Sequence, residues 1–183
     1  MAKIEESMPY LLKNEGGFVN DPVDRAGATK YGITQRTLAA FRSRPVSVED
    51  VRSLTIEEAT RIYKTQYWDT LNLDKVTSQF VATAIFDVGV LRGPRVAARL
   101  AQAALVKLGY TMSVDGEIGV YTLSALNRCD AVKWLEAFQA LDEEGYYRIV
   151  EKNPSQRKFL RGWLNRARRL LGLKPKTPRR PTV

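Results

Sequence analysis

Apolar residues recur at helical spacing along most of this chain, and polar capping residues cut the pattern into segments. Ile4, Met8, Leu11 and Leu12 form the first stripe. Pro9 places the start of regular helix near Ser7, or a bend there, and Gly16 supplies the stop, so the expected helix spans 7–15 with Glu15 in its last turn. Thr34 reads as the cap of a short helix through Leu38 and Phe41. Ser47 with Asp50, and Thr55 with Glu58, are capping-box spacings, and the second opens a helix bearing Ala59, Ile62, Tyr63, Gln66 and Tyr67. Ser78 begins a helix through Phe80, Ala84, Ile85 and Val88. Gly93-Pro94 interrupts the pattern, and Pro94 serves as first residue of a helix with Val96, Leu100, Ala104 and Leu108, closed by Gly109. The segment VDGEIG at 114–119 reads as a turn-rich connector, Asp130 as the cap of a helix through Val132, Leu135 and Phe138. A last amphipathic helix carries Phe159, Leu160, Trp163, Leu164 and Ala167.

The pattern predicts about seven or eight helices, at most one short β-hairpin near residues 18–32, no internal repeat and no long linker. The expected fold is mainly α. Tyr63, Tyr67, Phe138 and Trp163, at helical spacing, read as core; Trp68, at a helix end before Asp69 and Thr70, is less clearly core, with a cleft-facing position as the alternative.

Composition narrows the chemistry. A chain of 183 residues with 44% hydrophobic content is long enough for one domain with a real core. The N-terminal MAKIEESMPYLL lacks the basic, apolar and small-residue blocks of a signal peptide, and nowhere do 18 uncharged apolar residues run together. The expectation is synthesis in the cytoplasm with no signal peptide and no stable membrane insertion. Cys129 is the single cysteine and there is no histidine, which excludes an internal disulfide, imidazole metal sites and Ser-His or Cys-His nucleophiles. Acid–base work then falls to carboxylates, and no metal or organic cofactor is expected. The net charge of +9 is uneven: from Arg166 onward there are seven basic residues and no acidic one, which leaves residues 1–165 at +2. Residues 172–183 read as a basic flexible tail, serving either solubility or attraction to a polyanion such as nucleic acid, anionic lipid or an anionic cell wall.

The stretch KNEGGFVNDPVDRAGATKYGIT at 13–34 gathers Glu15, four glycines, two aspartates and Thr29, with few core-forming residues. A carboxylate in the last turn of a helix faces the negative end of the helix dipole, which raises its pKa and suits it to act as a general acid. Gly16 and Gly17 permit a chain reversal that leaves room for a bulky substrate, and Asp24 and Thr29 return a second carboxylate and a hydroxyl. That set suits glycoside hydrolysis, with acid on one side and activated water on the other. On spacing alone the same residues also read as an ordinary loop with helix-capping carboxylates.

The segment NEGGFVNDPVDRAGATKYGIT closely resembles the signature of glycoside hydrolase family 108, N-acetylmuramidases of phages and bacteria. The resemblance continues through IYKTQYW (62–68) and IFDVGVLRGPRVAARLAQAAL (85–105). VDGEIGVYTLSAL (114–126) and RGWLNR (161–166) look like the family's C-terminal predicted peptidoglycan-binding part. It implies a lysozyme-like helical fold, with a catalytic part over 1–90, a helical binding part over 91–171 packed on it as one compact unit, and hydrolysis of the β-1,4 bond between N-acetylmuramic acid and N-acetylglucosamine. On that resemblance Glu15 is the catalytic glutamate, Asp24 and Thr29 hold the attacking water as in better-known phage lysozymes, and Tyr31, Trp68 and Asp87 contact substrate.

The implied partner is the peptidoglycan glycan strand, reached in the periplasm through a holin-like pore by a monomeric phage endolysin; a muramidase assisting a secretion system is the other setting. Asn14, Arg25-Ala26 and Leu91 depart from the family's usual His, Pro-Gly and Asn, while Phe18 for Tyr keeps the ring. Two other classes compete: a catalytically silent wall-binding protein, against which the retention of Glu15, Asp24 and Thr29 stands, and a nucleic-acid binder. The second rests on the tail alone, and the reading is no nucleic acid.

Overall fold

The computed structural model describes residues 1–13, 17–20 and 27–173. Within them lie helices α1 (Ile4–Leu12), α2 (Gln35–Arg42), α3 (Val48–Arg52), α4 (Ile56–Tyr63), α5 (Gln79–Arg92), α6 (Pro94–Lys107), α7 (Val120–Arg128), α8 (Ala131–Lys152) and α9 (Arg157–Arg169), with one antiparallel hairpin of β1 (Thr29–Lys30) and β2 (Ile33–Thr34). The fold is mainly α, as the pattern predicts. The tail from Lys174 on, and the expected sites Glu15 and Asp24, lie outside the described residues.

Helix α5 is the axis of the molecule. Nine consecutive residues, Val81 to Gly89, are buried, so this helix is covered round its whole circumference. Helices α1 and α6 both pack along it, α8 packs on α6, and α9 packs on α8. At Gly89 a Cβ would stand 3.0 Å from Leu71 Cδ1, so the missing side chain lets neighbouring residues approach. Gly93, at φ 91°, makes the turn from α5 into α6.

Most caps are where the capping residues place them. The Thr34 hydroxyl accepts from Thr37 N, both arms of the Ser47–Asp50 capping box form, and Asp130 accepts from Val132 N and Lys133 N. Thr55 accepts from Glu58 N, but the Glu58 carboxylate turns away to Arg42, which donates to it from Nε at 2.8 Å and from Nη2 at 2.7 Å. Arg42 also reaches Asp50, and so joins α2, α3 and α4.

The structure corrects four local expectations. Helix α1 begins at Ile4 rather than Ser7 and contains Pro9, because its first turn is tied to α5: Lys3 N donates to Gln79 Oε1 at 2.8 Å, and Gln79 Nε2 donates to Ser7 Oγ at 2.9 Å. Among the described residues the hairpin's ladder lies at 29–34, beyond the end of the expected 18–32 as well as within it, and Val19 is joined to Thr29 by an isolated bridge. Helix α4 runs into a π-helical turn, Lys64–Trp68, where Asp69 N bonds Lys64 O at 2.9 Å. Residues 120–128, absent from the expected helices, form α7, whose inward side is Thr122, Ala125 and Leu126.

Two ion pairs are built into the core around α5. Arg166 of α9 donates to both oxygens of Asp87, from Nη2 at 2.8 Å and Nε at 3.2 Å, with side-chain exposures of 14% and 3%. One turn further along, Arg92 donates to Asp142 of α8 at 2.5 Å and lies over the Tyr146 ring. Burial pushes the Asp142 carboxyl above its ordinary range, and Arg92 only partly offsets this.

Removing one partner of such a pair leaves a desolvated charge, so Arg166→Ala is expected to cost about 3–5 kcal/mol in a urea unfolding titration. Asp87→Leu combined with Arg166→Met is expected to recover most of that loss, since the space is refilled and no charge stays buried. The Arg42 cluster titrates differently. Hydrogen bonding from Arg42 holds Glu58 below its ordinary carboxyl range. A depressed folded pKa adds stability above the unfolded value of about 4.3, and that stability is lost as pH falls through the folded value. The melting-temperature gap between wild type and Glu58→Gln should therefore be largest near neutrality and shrink as pH is taken below about 4.

Candidate functional site

The hairpin that carries Thr29 and Tyr31 is held from three directions. Val19 and Thr29 exchange both backbone bonds at 2.8 Å, so the chain at Val19 lies against the hairpin. Tyr31 and Gly32 form its two-residue loop at φ 54° and 73°, both left-handed, which matches the two-residue turn of a tightly twisted hairpin. Tyrosine is rarely found there, and the backbone is held by Tyr63, whose hydroxyl donates to Tyr31 O at 2.7 Å. Arg52 finishes the frame: Lys30 Nζ donates to its carbonyl at 2.6 Å, and its guanidinium sits 4.2 Å from the Phe18 ring centroid.

In that frame Thr29 is half-buried at the start of β1, with its hydroxyl donating to Gly27 O at a long 3.4 Å. The Tyr31 ring is half-buried beneath Lys30 Nζ, 5.1 Å from its centroid. Both keep surface that a substrate can reach.

Trp68 and Asp87 are placed otherwise, and both expectations are corrected. Trp68 follows Tyr63 by five residues, one π turn, and this returns it to the buried side of the helix instead of a cleft wall. It is 1% exposed and packs edge-on against Phe86, centroids 5.4 Å apart. Asp87 is 2% exposed and spends both oxygens on Arg166, which leaves no oxygen facing a sugar. These residues support the site from below: Tyr31 hangs on Tyr63, Tyr63 packs on Phe86 at 6.1 Å, and Phe86 packs on Trp68.

Two contributors escape the sequence pattern. Tyr63 reads as a core aromatic, and nothing in its spacing announces that its hydroxyl reaches across to residue 31. Arg166 did leave a signal, since it sits on the same side as Trp163, Ala167 and Leu170, a cation inside an apolar stripe. Beside it the Tyr10 hydroxyl is pushed up first by burial and then by the charge of Asp87, with Arg166 and Arg169 acting the other way.

Concave surfaces also lie elsewhere among the described residues. A groove of about 770 Å³ runs between α1 and α4, lined by Met8, Pro9, Leu12, Ile56 and Arg61 among others. A second, of about 450 Å³, lies between the 110–119 connector and α7. Among the described residues no His, Cys, Asp and Glu side chains gather in threes to hold a metal, and no helix is long and apolar enough to cross a membrane.

Residues 8–93 match the family model Glycosyl hydrolase 108, and residues 96–168 match the Predicted Peptidoglycan domain. A solved structure titled "Structure of Brucella abortus SagA" is 30% identical over 92% of this chain and 91% of that one, with a TM-score of 0.72. No curated protein matches the chain significantly. The match with SagA runs through both halves, and with the two family models it makes this chain a member of the glycosyl hydrolase 108 family, a peptidoglycan-directed glycosidase followed by a peptidoglycan domain.

Proposed function

We propose that this protein is an N-acetylmuramidase, a lysozyme that cleaves the β-1,4 bond between N-acetylmuramic acid and N-acetylglucosamine, with residues 1–90 cutting and 91–171 holding the wall. The observation that carries the reading is the family match over 8–93, which spans Glu15, Asp24 and Thr29 in one segment. The clamped hairpin supports it, because it presents Thr29 and Tyr31 from a rigid frame. Glu15 protonates the leaving glycosidic oxygen. Asp24 and the Thr29 hydroxyl hold and activate the water that attacks the anomeric carbon from the opposite face, so the product is inverted. Tyr31 lies under a sugar ring beside the scissile bond. The setting we propose is host-cell lysis by a phage endolysin, with a holin-like pore as the way to the wall; the same chemistry also serves a muramidase that assists a secretion system.

Glu15→Gln tests the chemistry. Glutamine keeps the shape but has no proton to give, and loss of a general acid removes roughly 10²- to 10⁴-fold in rate, so turbidity loss of purified sacculi should all but stop. Sacculus pull-down should remain near wild type. Lysis by this variant above about a tenth of the wild-type rate would take Glu15 out of the mechanism.

Tyr31→Asn tests the hairpin. Asparagine tolerates the left-handed backbone at this position, so the turn is kept while the ring is lost. The expected result is an unchanged melting temperature with a raised KM for sacculi. An unchanged KM would confine Tyr31 to shaping the turn.

A further inference from the structure

The groove between the 110–119 connector and α7 is organised by one buried amide. Gln102 of α6, 2% exposed, donates from Nε2 to Asp115 Oδ1 at 2.8 Å and to Glu117 O at 3.0 Å, while its Oε1 accepts from Gly116 N at 2.9 Å. Gly116 stands at φ 87°, and a Cβ there would lie 2.7 Å from Arg95 Cγ, so the connector is pressed against α6 in a form that other residues rarely adopt. A turn fixed this firmly is a scaffold for what it presents.

It presents a groove of about 450 Å³, inside the ~300–1,000 Å³ range of small-ligand clefts, with Tyr110 and Met112 in its wall. Tyr121 on its lip is 86% exposed, the most exposed large apolar side chain among the described residues, and Val120 beside it is 75% exposed. A tyrosine so open to water at the mouth of a groove has no packing role in the fold. The groove also carries charge of both signs. Arg128, exposed and in no ion pair among the described residues, lines it together with Asp115 and Glu117. Hydrogen bonding from Gln102 and from Glu117 N keeps the Asp115 carboxyl below its ordinary range, so it stays charged.

Charge of both signs selects between the components of peptidoglycan. The N-acetylated sugars are uncharged, and the lactyl carboxyl of muramic acid is consumed in the amide bond to the stem peptide. The free carboxylates and free amine of the polymer lie on the stem peptide. The geometry points to a stem-peptide site: Arg128 takes a peptide carboxylate, Asp115 and Glu117 take the side-chain amine of the diamino acid, and Tyr121 covers the peptide backbone. This rests on the reading of the chain as a peptidoglycan hydrolase and names which part of the wall its C-terminal part grips.

The test uses the full chain, labelled with ¹⁵N, titrated with a free stem tetrapeptide carrying a diamino acid at its third position and separately with chitotetraose. The tetrapeptide should shift amides of 110–128 saturably, and Tyr121→Ala and Arg128→Gln should each weaken it about tenfold or more, the scale for a central contact. Chitotetraose should leave those amides unmoved. Both changed side chains are exposed, so the fold is not at stake, and the unchanged remainder of each spectrum verifies it. No shift with tetrapeptide, wild-type affinity in both variants, or chitotetraose moving the same amides overturns the site. Degradation of sacculi is scored apart: if it proceeds while the tetrapeptide fails to bind, the stem-peptide site falls and the hydrolase reading stands.

Discussion

Asp87 carries a carboxylate into the middle of α5, a helix covered on every side, and a charge in that setting persists only with a partner that meets its geometry. The planar guanidinium of Arg166 supplies it with two parallel bonds, and it arrives from α9, 79 residues along the chain. The N-terminal core therefore cannot be completed without the C-terminal helix. Arg92 and Asp142 repeat the arrangement one turn on, with Tyr146 and Trp163 stacked at 5.3 Å beside them. Two segments that match separate family models are thus joined to each other by buried ion pairs.

The same axis explains how a short hairpin, marginal by itself, is held still. Phe86, the neighbour of Asp87, is the ring on which Tyr63 and Trp68 rest, and Tyr63 then ties down the strained turn at Tyr31. Thr29 gains its position from this stack and from Val19, with little help from its own contacts. Aromatic residues read from sequence as core or cleft thus act on the site indirectly, as its foundation.

What was legible in the sequence followed from local physics. Caps at Thr34, Ser47 and Asp130 and breaks at Gly93 and Gly109 are decided within a few residues, so spacing reveals them. What was missed depends on distant partners. The early start of α1 is set by Gln79, the reach of Glu58 by Arg42, and the burial of Asp87 by Arg166, none of them near in sequence. The π turn that moves Trp68 inward departs from the 3.6-residue period, so a residue read from its place at a helix end turns out to lie in the core. Helix α7 was hidden for another reason: Val120 and Tyr121, its first residues, are exposed, so its stripe starts late and blends with the connector before it. Of the three residues proposed for catalysis, only Thr29 falls within the described residues, and its frame was visible in sequence only as a glycine-rich turn.

Leu91, which stands where the resembling family usually has Asn, takes its meaning from the same axis. It follows Asp87 by four residues on α5, so the two side chains share one side of the helix. Leu91 is 37% exposed, so an asparagine there would find its partners in water, whereas leucine adds apolar surface. It lines a small cavity of about 300 Å³ with Val96, Ile149 and Trp163, at the seam where α5 and α6 meet α8 and α9. The departure trades a water-facing polar group for apolar surface at this seam, and the polar groups beside it, Arg92, Asp142 and Tyr146, satisfy one another without it.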